Sequence, residues 1–284
     1  MDPANLFHIS FPIRSDKLTM TVAFTEQITT NTSPFQSIDI YETTEFGKML
    51  FLDGHVQLAE FDEHAYHESF AHLPLSGMNN PSSALIVGGG DGAMLRELCK
   101  HTSLTTIHMV EIDDLVVETC KQYLPELNKG AFNDPRVTLY IEDAFPFIKN
   151  PPQKYDAIYI DATDVYEEED GSLSQHLFTD TFYQDCRNAL TEQGIVVTQA
   201  DNPVFCPYSA GPILEQFRTA FGNAGFYWSM VPSFGGYSGF VWGSPNHTPA
   251  TTKQLPTNLN LKYLTDLHYT LALSPIPFGV LAEK

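Results

Sequence analysis

The chain has 284 residues, 43% of them hydrophobic and 18% charged, with a formal net charge of −20 at pH 7. The size and composition suit a globular protein with one large domain, or one with a smaller companion. The charge argues against nucleic acid, whose phosphates need Lys and Arg, and against an anionic membrane surface, but it permits a small cationic ligand drawn in by the field.

At the N-terminus, "MDPANLFHISFPIRSDKLTM" lacks the basic-then-apolar order of a secretion leader. Residues 1–62 are predicted to be a small β-strand domain, from the alternation and β-branched content of "LTMTVAFTEQITTNTS" and "SIDIYETTEFGKMLFLDGHVQLAEF", with Asp53-Gly54 at a hairpin turn. Residues 63–284 are predicted to form the catalytic domain. "DEHAYHESFAHLPLSG" is helical, with Tyr66, Phe70 and Leu73 three or four apart. Strands and helices then alternate: "SALIVGGG", "DGAMLRELCKH", "TTIHMVEID", "DLVVETCKQYL", "RVTLYIED", "AFPFIKN", "YDAIYID", "DTFYQDCRNAL", "GIVVTQA" and "SAGPILEQFRTAFGNAG". Such alternation predicts an α/β fold with a parallel, doubly wound sheet, ending here in a hairpin of "FYWSMVP" and "GFVWG". The tail from about Thr248 is Pro- and Thr-rich and finishes in a short helix. No apolar run reaches membrane-spanning length. Cys99, Cys120, Cys186 and Cys206 form no C-x-x-C pair, which suggests reduced thiols and a cytoplasmic location.

Three successive strand ends offer ligand groups on the carboxyl side of the sheet, where such folds bind ligands. The first carries Gly88, Gly89, Gly90 and Gly92, which let the backbone turn sharply and approach a ligand, although a tight turn without a ligand is the alternative. The second ends at Glu111, about twenty residues on, placed for two ribose hydroxyls. The third ends at Asp143-Ala144, which could grip an adenine amino group. Asp91 inside the glycine turn would repel a phosphate, and no Lys follows it. It suits a sulfonium nucleoside with a free amine. Decarboxylated S-adenosylmethionine, which lacks the carboxylate of the intact compound, fits best.

Asp161 and Asp164 close the strand "YDAIYID" and open an acidic stretch that runs on to Glu167, Glu168, Glu169 and Asp170. A Mg²⁺ site and glycoside chemistry are alternatives for such a pair. With an amine as second substrate, one carboxylate accepts a proton while the other holds the far ammonium.

Together these residues resemble the polyamine aminopropyltransferases, of which spermidine synthase is the type. The likeness covers roughly residues 33–243. It is carried by "SPFQSIDIYETTEFGKMLFLDGHVQLAEFDEHAYHESFAHLPL", "VGGGDGAMLRELCKH", "MVEIDDLVVE", "GAFNDPRV" and "YDAIYIDATD", in family order and spacing. The resemblance implies a Rossmann-like, methyltransferase-type sheet behind a small N-terminal β-domain. It implies that Gln36 and Gln57 touch the nucleoside substrate with His67 beside it, that Gly88 and Gly90 also bind this substrate, and that Asp91 holds its aminopropyl amine. Glu111 would take the ribose, and Asp143 with Ala144 the adenine. Asp161 would accept the proton, helped by Tyr66, and Asp164 with Asp201 would hold the amine acceptor. No cofactor or metal is expected, decarboxylated S-adenosylmethionine being a co-substrate. The expected partners are small polyamines and nucleosides, with no nucleic acid and no membrane, in a homodimer.

The sequence departs from the family's usual pattern on the acceptor side. Val165 stands where Pro is usual, the loop after it is longer and more acidic, and "VPSFGGY" puts Phe234 where a phenol is common, with Tyr237 as a candidate substitute. Putrescine is the expected acceptor, with agmatine, cadaverine or a triamine as alternatives. An S-adenosylmethionine-dependent amine N-methyltransferase and a non-catalytic polyamine binder are the competing functions.

Overall fold

The structure, a computed structural model, describes residues 6–15, 18–162, 179–276 and 278. The first five strands, β1 (Phe7–Ser15), β2 (Leu18–Thr32), β3 (Ser37–Thr43), β4 (Gly47–Leu52) and β5 (His55–Ala59), make one antiparallel sheet in sequence order. The period-two pattern of "SIDIYET" buries Ile38 and Ile40 on one face. Asp53 and Gly54 both take positive φ, as a two-residue hairpin requires, and the Asp53 carboxylate accepts the Ser37 amide at 2.7 Å.

Helix α1 (Glu63–His72) leads into a second, seven-stranded sheet. Its strands are β6 (Ser83–Gly88), β7 (Thr106–Glu111), β8 (Val137–Ile141), β9 (Tyr155–Asp161), β10 (Leu190–Gln199), β11 (Asn223–Val231) and β12 (Gly236–Ser244). They lie in the order β11-β12-β10-β9-β6-β7-β8, with β6 to β10 parallel and β12 antiparallel to both β10 and β11. Around it lie α2 (Ala93–Cys99), α3 (Asp114–Tyr123), α4 (Pro125–Asn128), α5 (Ala144–Lys149), α6 (Asp180–Ala189), α7 (Pro207–Phe221) and α8 (Asp266–Ala272). The continuous apolar run "SALIV" buries β6 on both faces, as a strand covered by helices must be.

From β6 the chain winds outward to β7 and β8, then returns to β9 on the other side of β6. That reversal makes the carboxyl ends of β6 and β9 a topological switch point, where a crevice opens. Below it, Phe70, Tyr159 and Phe240 pack ring against ring with no exposure, and the Tyr159 hydroxyl donates to the Ala71 carbonyl at 2.8 Å. Each such ring contributes about 1.5–3 kcal/mol by leaving water.

Two boundaries differ most from the sequence expectation. Asn223, Ala224 and Gly225, predicted as the end of a helix, open β11 and pair with Ser244, Gly243 and Trp242. Leu190, predicted as the last helical residue, opens β10 instead. It pairs with Tyr155, and a register shift follows before Ile195 pairs with Ala157. At the C-terminal side, the Glu68 carboxylate of α1 accepts the amides of Lys262, Tyr263 and Leu264, which fastens the tail across that helix.

Candidate active site

A cavity of about 340 Å³ opens at the switch point. Among the described residues six carboxylates line it, those of Asp53, Asp91, Glu111, Glu142, Asp143 and Asp161, and no Lys or Arg does. Leu50, Leu52, Ile112, Val116 and Phe145 supply much of its apolar wall. The composition suits an organic cation with an apolar body.

The floor is set by the β6–β9 rung. Gly88 pairs with Asp161, and the Gly89 amide donates to the Asp161 carbonyl at 2.9 Å. Gly88 has φ +81, and a Cβ there would lie 2.3 Å from that carbonyl oxygen, so only glycine fits. The Tyr66 hydroxyl, brought in by α1, donates to Asp161 Oδ1 at 2.8 Å. Asp161 Oδ2 is buried and has no hydrogen-bond partner among the described residues. Burial and the nearby Asp91 charge raise the Asp161 carboxyl, His67 and the Tyr66 hydrogen bond lower it, and the balance is about 6.

Asp91 follows the glycines and accepts the Ala93 amide at 2.7 Å at the start of α2. Burial holds its carboxyl above the usual range, against the lowering influence of His67. His67, 2% exposed, presents Nδ1 to both the carbonyl and the carboxylate of Glu63 at 2.9 Å. Its Nε2 lies 3.8 Å from Asp91 Oδ1. Burial alone would lower this imidazole, but the Glu63 hydrogen bond and the charges of Asp91, Glu63 and Asp161 hold it at about 9. One ligand-type atom from each of His67, Asp91 and Asp161 lies within 4.8 Å of the others. That spacing suits a small cation, and the protonated imidazole is itself a cation there.

At the end of β7, Glu111 is 9% exposed and accepts backbone amides, that of Asp113 at 2.9 Å; burial still pushes its carboxyl up to about 7. Asp143 caps α5 through the Phe145 amide at 2.9 Å and stands at the exposed rim beside Ala144. Gln36 and Gln57 reach the wall from the first sheet. Asp113 pins the Gln36 amide at 3.0 Å and the Ser33 hydroxyl at 2.6 Å, tying the two sheets together beside the cavity.

The first sheet therefore contributes Gln36 and Gln57, the glycine turn Gly88, Gly90 and Asp91, and α1 Tyr66 and His67. Glu111, Asp143, Ala144 and Asp161 join them around the same space. Two predicted residues fall elsewhere. Tyr237 alternates with Ser238, which lines the cavity, so its ring points the other way and packs against Trp228 at 5.4 Å. Asp201 is buried in a left-handed conformation behind the wall, its Oδ1 accepting the Asn202 amide at 2.6 Å. Asp164, Val165 and the acids Glu167 to Asp170 lie outside the described residues.

Comparison with known proteins decides the family. Residues 63–254 match the spermine/spermidine synthase domain and residues 13–60 the spermidine synthase tetramerisation domain. The chain belongs to the spermine/spermidine synthase family. It is 38% identical over 244 residues to a polyamine aminopropyltransferase of Sulfurisphaera tokodaii, covering 86% of this chain and 80% of that one. It is 35% identical over 261 residues to one from Clostridium perfringens, covering 89% and 90%. A crystal structure of spermidine synthase from Thermotoga maritima superposes with a TM-score of 0.84 at 27% identity, covering 94% of this chain and 90% of that one. A spermidine synthase in complex with the transition state analogue AdoDATO also gives a TM-score of 0.84 at 27% identity, covering 94% and 91%. The fold is that of the spermidine synthases, and the protein is an aminopropyltransferase enzyme.

Sequence reasoning missed the supports of this site. Arg96 clasps Glu63 through two nitrogens, at 2.9 and 2.8 Å, and binds the Leu127 carbonyl and Glu97 at 2.6 and 2.7 Å. Gln199, also in the wall, donates to the Ala162 carbonyl at 3.1 Å and accepts the Asp201 amide at 2.9 Å. Arg96 was detectable only as an isolated cation inside an apolar helix pattern.

Proposed function

We propose that the protein moves the aminopropyl group of decarboxylated S-adenosylmethionine to an amine, with putrescine as acceptor and spermidine and 5'-methylthioadenosine as products. The observation that carries this reading is Asp161: among the described residues one of its oxygens is held by Tyr66, the other has no hydrogen-bond partner, and six carboxylates but no Lys or Arg line the cavity around it.

In this reading Glu111 takes the ribose hydroxyls, Asp143 and Ala144 the adenine, and Gln36 and Gln57 flank the nucleoside. Asp91 holds the aminopropyl ammonium. A carboxyl near 6 is ionised at neutral pH yet basic enough to take a proton from an attacking ammonium. The freed amine attacks the propyl carbon, its lone pair forms the C–N bond, and the C–S pair leaves with sulfur as a neutral thioether. Neutralising two cationic substrates in one cavity and aligning them supplies the rate. The reaction needs no cofactor, and the nucleoside is consumed as co-substrate.

Phe234, 4% exposed, packs against Tyr66 at 5.8 Å, so the acceptor meets an apolar wall there. That wall favours the methylene run of a simple diamine. We assign residues 1–62 to a β-domain that contacts a second copy in a homodimer, and residues 63–284 to catalysis. The four free cysteines support a cytoplasmic setting, and no helix of the described residues is long and apolar enough to cross a membrane.

The test is a product assay by mass spectrometry, pairing decarboxylated S-adenosylmethionine with putrescine, cadaverine, agmatine and spermidine in turn, with intact S-adenosylmethionine as a parallel donor. Gain of one aminopropyl group on putrescine, with methylthioadenosine released, is expected. A methyl gain from the intact donor overturns the reading. Light scattering of the purified chain reports its oligomeric state.

A further inference from the structure

The His67 imidazole lines the cavity where, in the donor reading above, the ammonium of the donor goes. His67 Nε2 faces Asp91 Oδ1 at 3.8 Å, in a cluster with Asp161 whose ligand-type atoms lie within 4.8 Å of one another. The groups around this ring come from three elements. Glu63 and Tyr66 flank it on α1, with its ring 5.0 Å from that of Tyr66. Asp91 approaches from the turn after β6, and Asp161 from the end of β9. Arg96 on α2 stands behind Glu63.

The two ring nitrogens are not equivalent. Nδ1 is 2.9 Å from both the carbonyl and Oε2 of Glu63, whose carboxylate is held well below its ordinary range, at about 2, and clasped by Arg96. Glu63 keeps a proton on Nδ1 and does not take it. Nε2 has no such anchor and faces the cavity. Two cations packed this closely in a buried space repel strongly, and the imidazolium, whose ordinary value of about 6.5 lies well below the roughly 10 of a primary ammonium, is the one that gives up its proton.

We infer that His67 is a proton-linked placeholder, its imidazolium neutralising the Asp91–Asp161 pair until the donor's primary ammonium enters and expels the Nε2 proton. This rests on the donor reading above. The Nε2–H bond breaks, the electron pair stays on nitrogen, and the proton goes to solvent. The neutral ring, still bearing Nδ1–H, then accepts a hydrogen bond from the ammonium through Nε2. Intact S-adenosylmethionine would place a carboxylate beside the same ring and so leave its proton in place.

The experiment is calorimetric titration of the full chain at about pH 7.5 in two buffers of different ionisation enthalpy. Decarboxylated S-adenosylmethionine should release about one proton per molecule bound, and 5'-methylthioadenosine and intact S-adenosylmethionine close to none. The affinity for the decarboxylated donor, relative to methylthioadenosine, should rise up to about tenfold per pH unit as pH increases from about 7 toward 9. His67→Asn should remove both effects. A donor that binds wild type with the same heat in both buffers overturns the inference. If the decarboxylated donor does not bind, the donor reading fails, and His67 is judged by NMR titration of its imidazole in the free protein. Titration near the ordinary 6.5 overturns the placeholder, and retention of the proton to about 9 supports it.

Discussion

Tyr66 and Asp161 meet in one hydrogen bond across 95 residues of chain. Asp161→Asn keeps the size of the side chain and removes the proposed proton acceptor. Its turnover should fall by about 10²–10⁴-fold, while methylthioadenosine affinity stays within a few-fold of wild type. Loss of nucleoside affinity in that variant would assign Asp161 to structure. In the proposed mechanism Asp161 acts when ionised, and with its carboxyl held up at about 6, kcat/KM should fall as pH drops through 6. Tyr66→Phe removes a donor that lowers this carboxyl, so the acid limb should move to higher pH; an unmoved limb assigns it to another group. The ends of β6, β7, β8 and β9 were readable because ligand groups in such folds gather there. Tyr237 was misplaced for a reason of parity: Ser238 holds the cavity side of β12, and the alternation of the strand carries its neighbour away. The Glu63–Arg96 clasp was invisible because it joins residues 33 apart that no motif links.

Among the elements, the glycine turn and α1 carry the most specific expectations. Gly88→Ala would set a methyl against the Asp161 carbonyl in a left-handed backbone, with a cost on the order of 3 kcal/mol in urea denaturation. Glu63 and His67 act on stability at opposite ends of the pH scale. Glu63 drops from an ordinary 4.5 to about 2, so its contribution is complete above 4.5 and lost as pH falls toward 2. His67 rises from 6.5 to about 9, so its contribution is complete below 6.5 and lost as pH rises through 9. Urea midpoints measured across pH should therefore decline on both sides, and Glu63→Gln should flatten both declines. The central elements were legible because their apolar runs and flanking turn residues agree. The start of β10 was not: Leu190 extends an apolar helix pattern, and only pairing with Tyr155 turns it into a strand.

At the scale of the whole molecule, a formal charge of −20 and an acid-lined cavity should speed capture of cationic substrates. Raising ionic strength should lower kcat/KM for a diamine while leaving kcat nearly unchanged; a salt-independent kcat/KM would confine the role of the acids to direct contact. The shift in hydrophobic period near residue 62 coincides with the change from the first sheet, ending at Ala59, to α1, starting at Glu63. The tie between the two sheets was not readable, since Asp113 meets Ser33 and Gln36 across about eighty residues. The rung that pairs Gly88 with Asp161 has a consequence for how such an enzyme diversifies. In the proposed mechanism it works as a ruler between the donor's seat and the base, with no intervening strand to take up slack. Any drift of one carries the other, so the distance over which the bond is made is inherited unchanged. New acceptors then have to be accommodated on the far wall, around Phe234 and Ser238, and grafting that wall between relatives should exchange the amine used without resetting the donor.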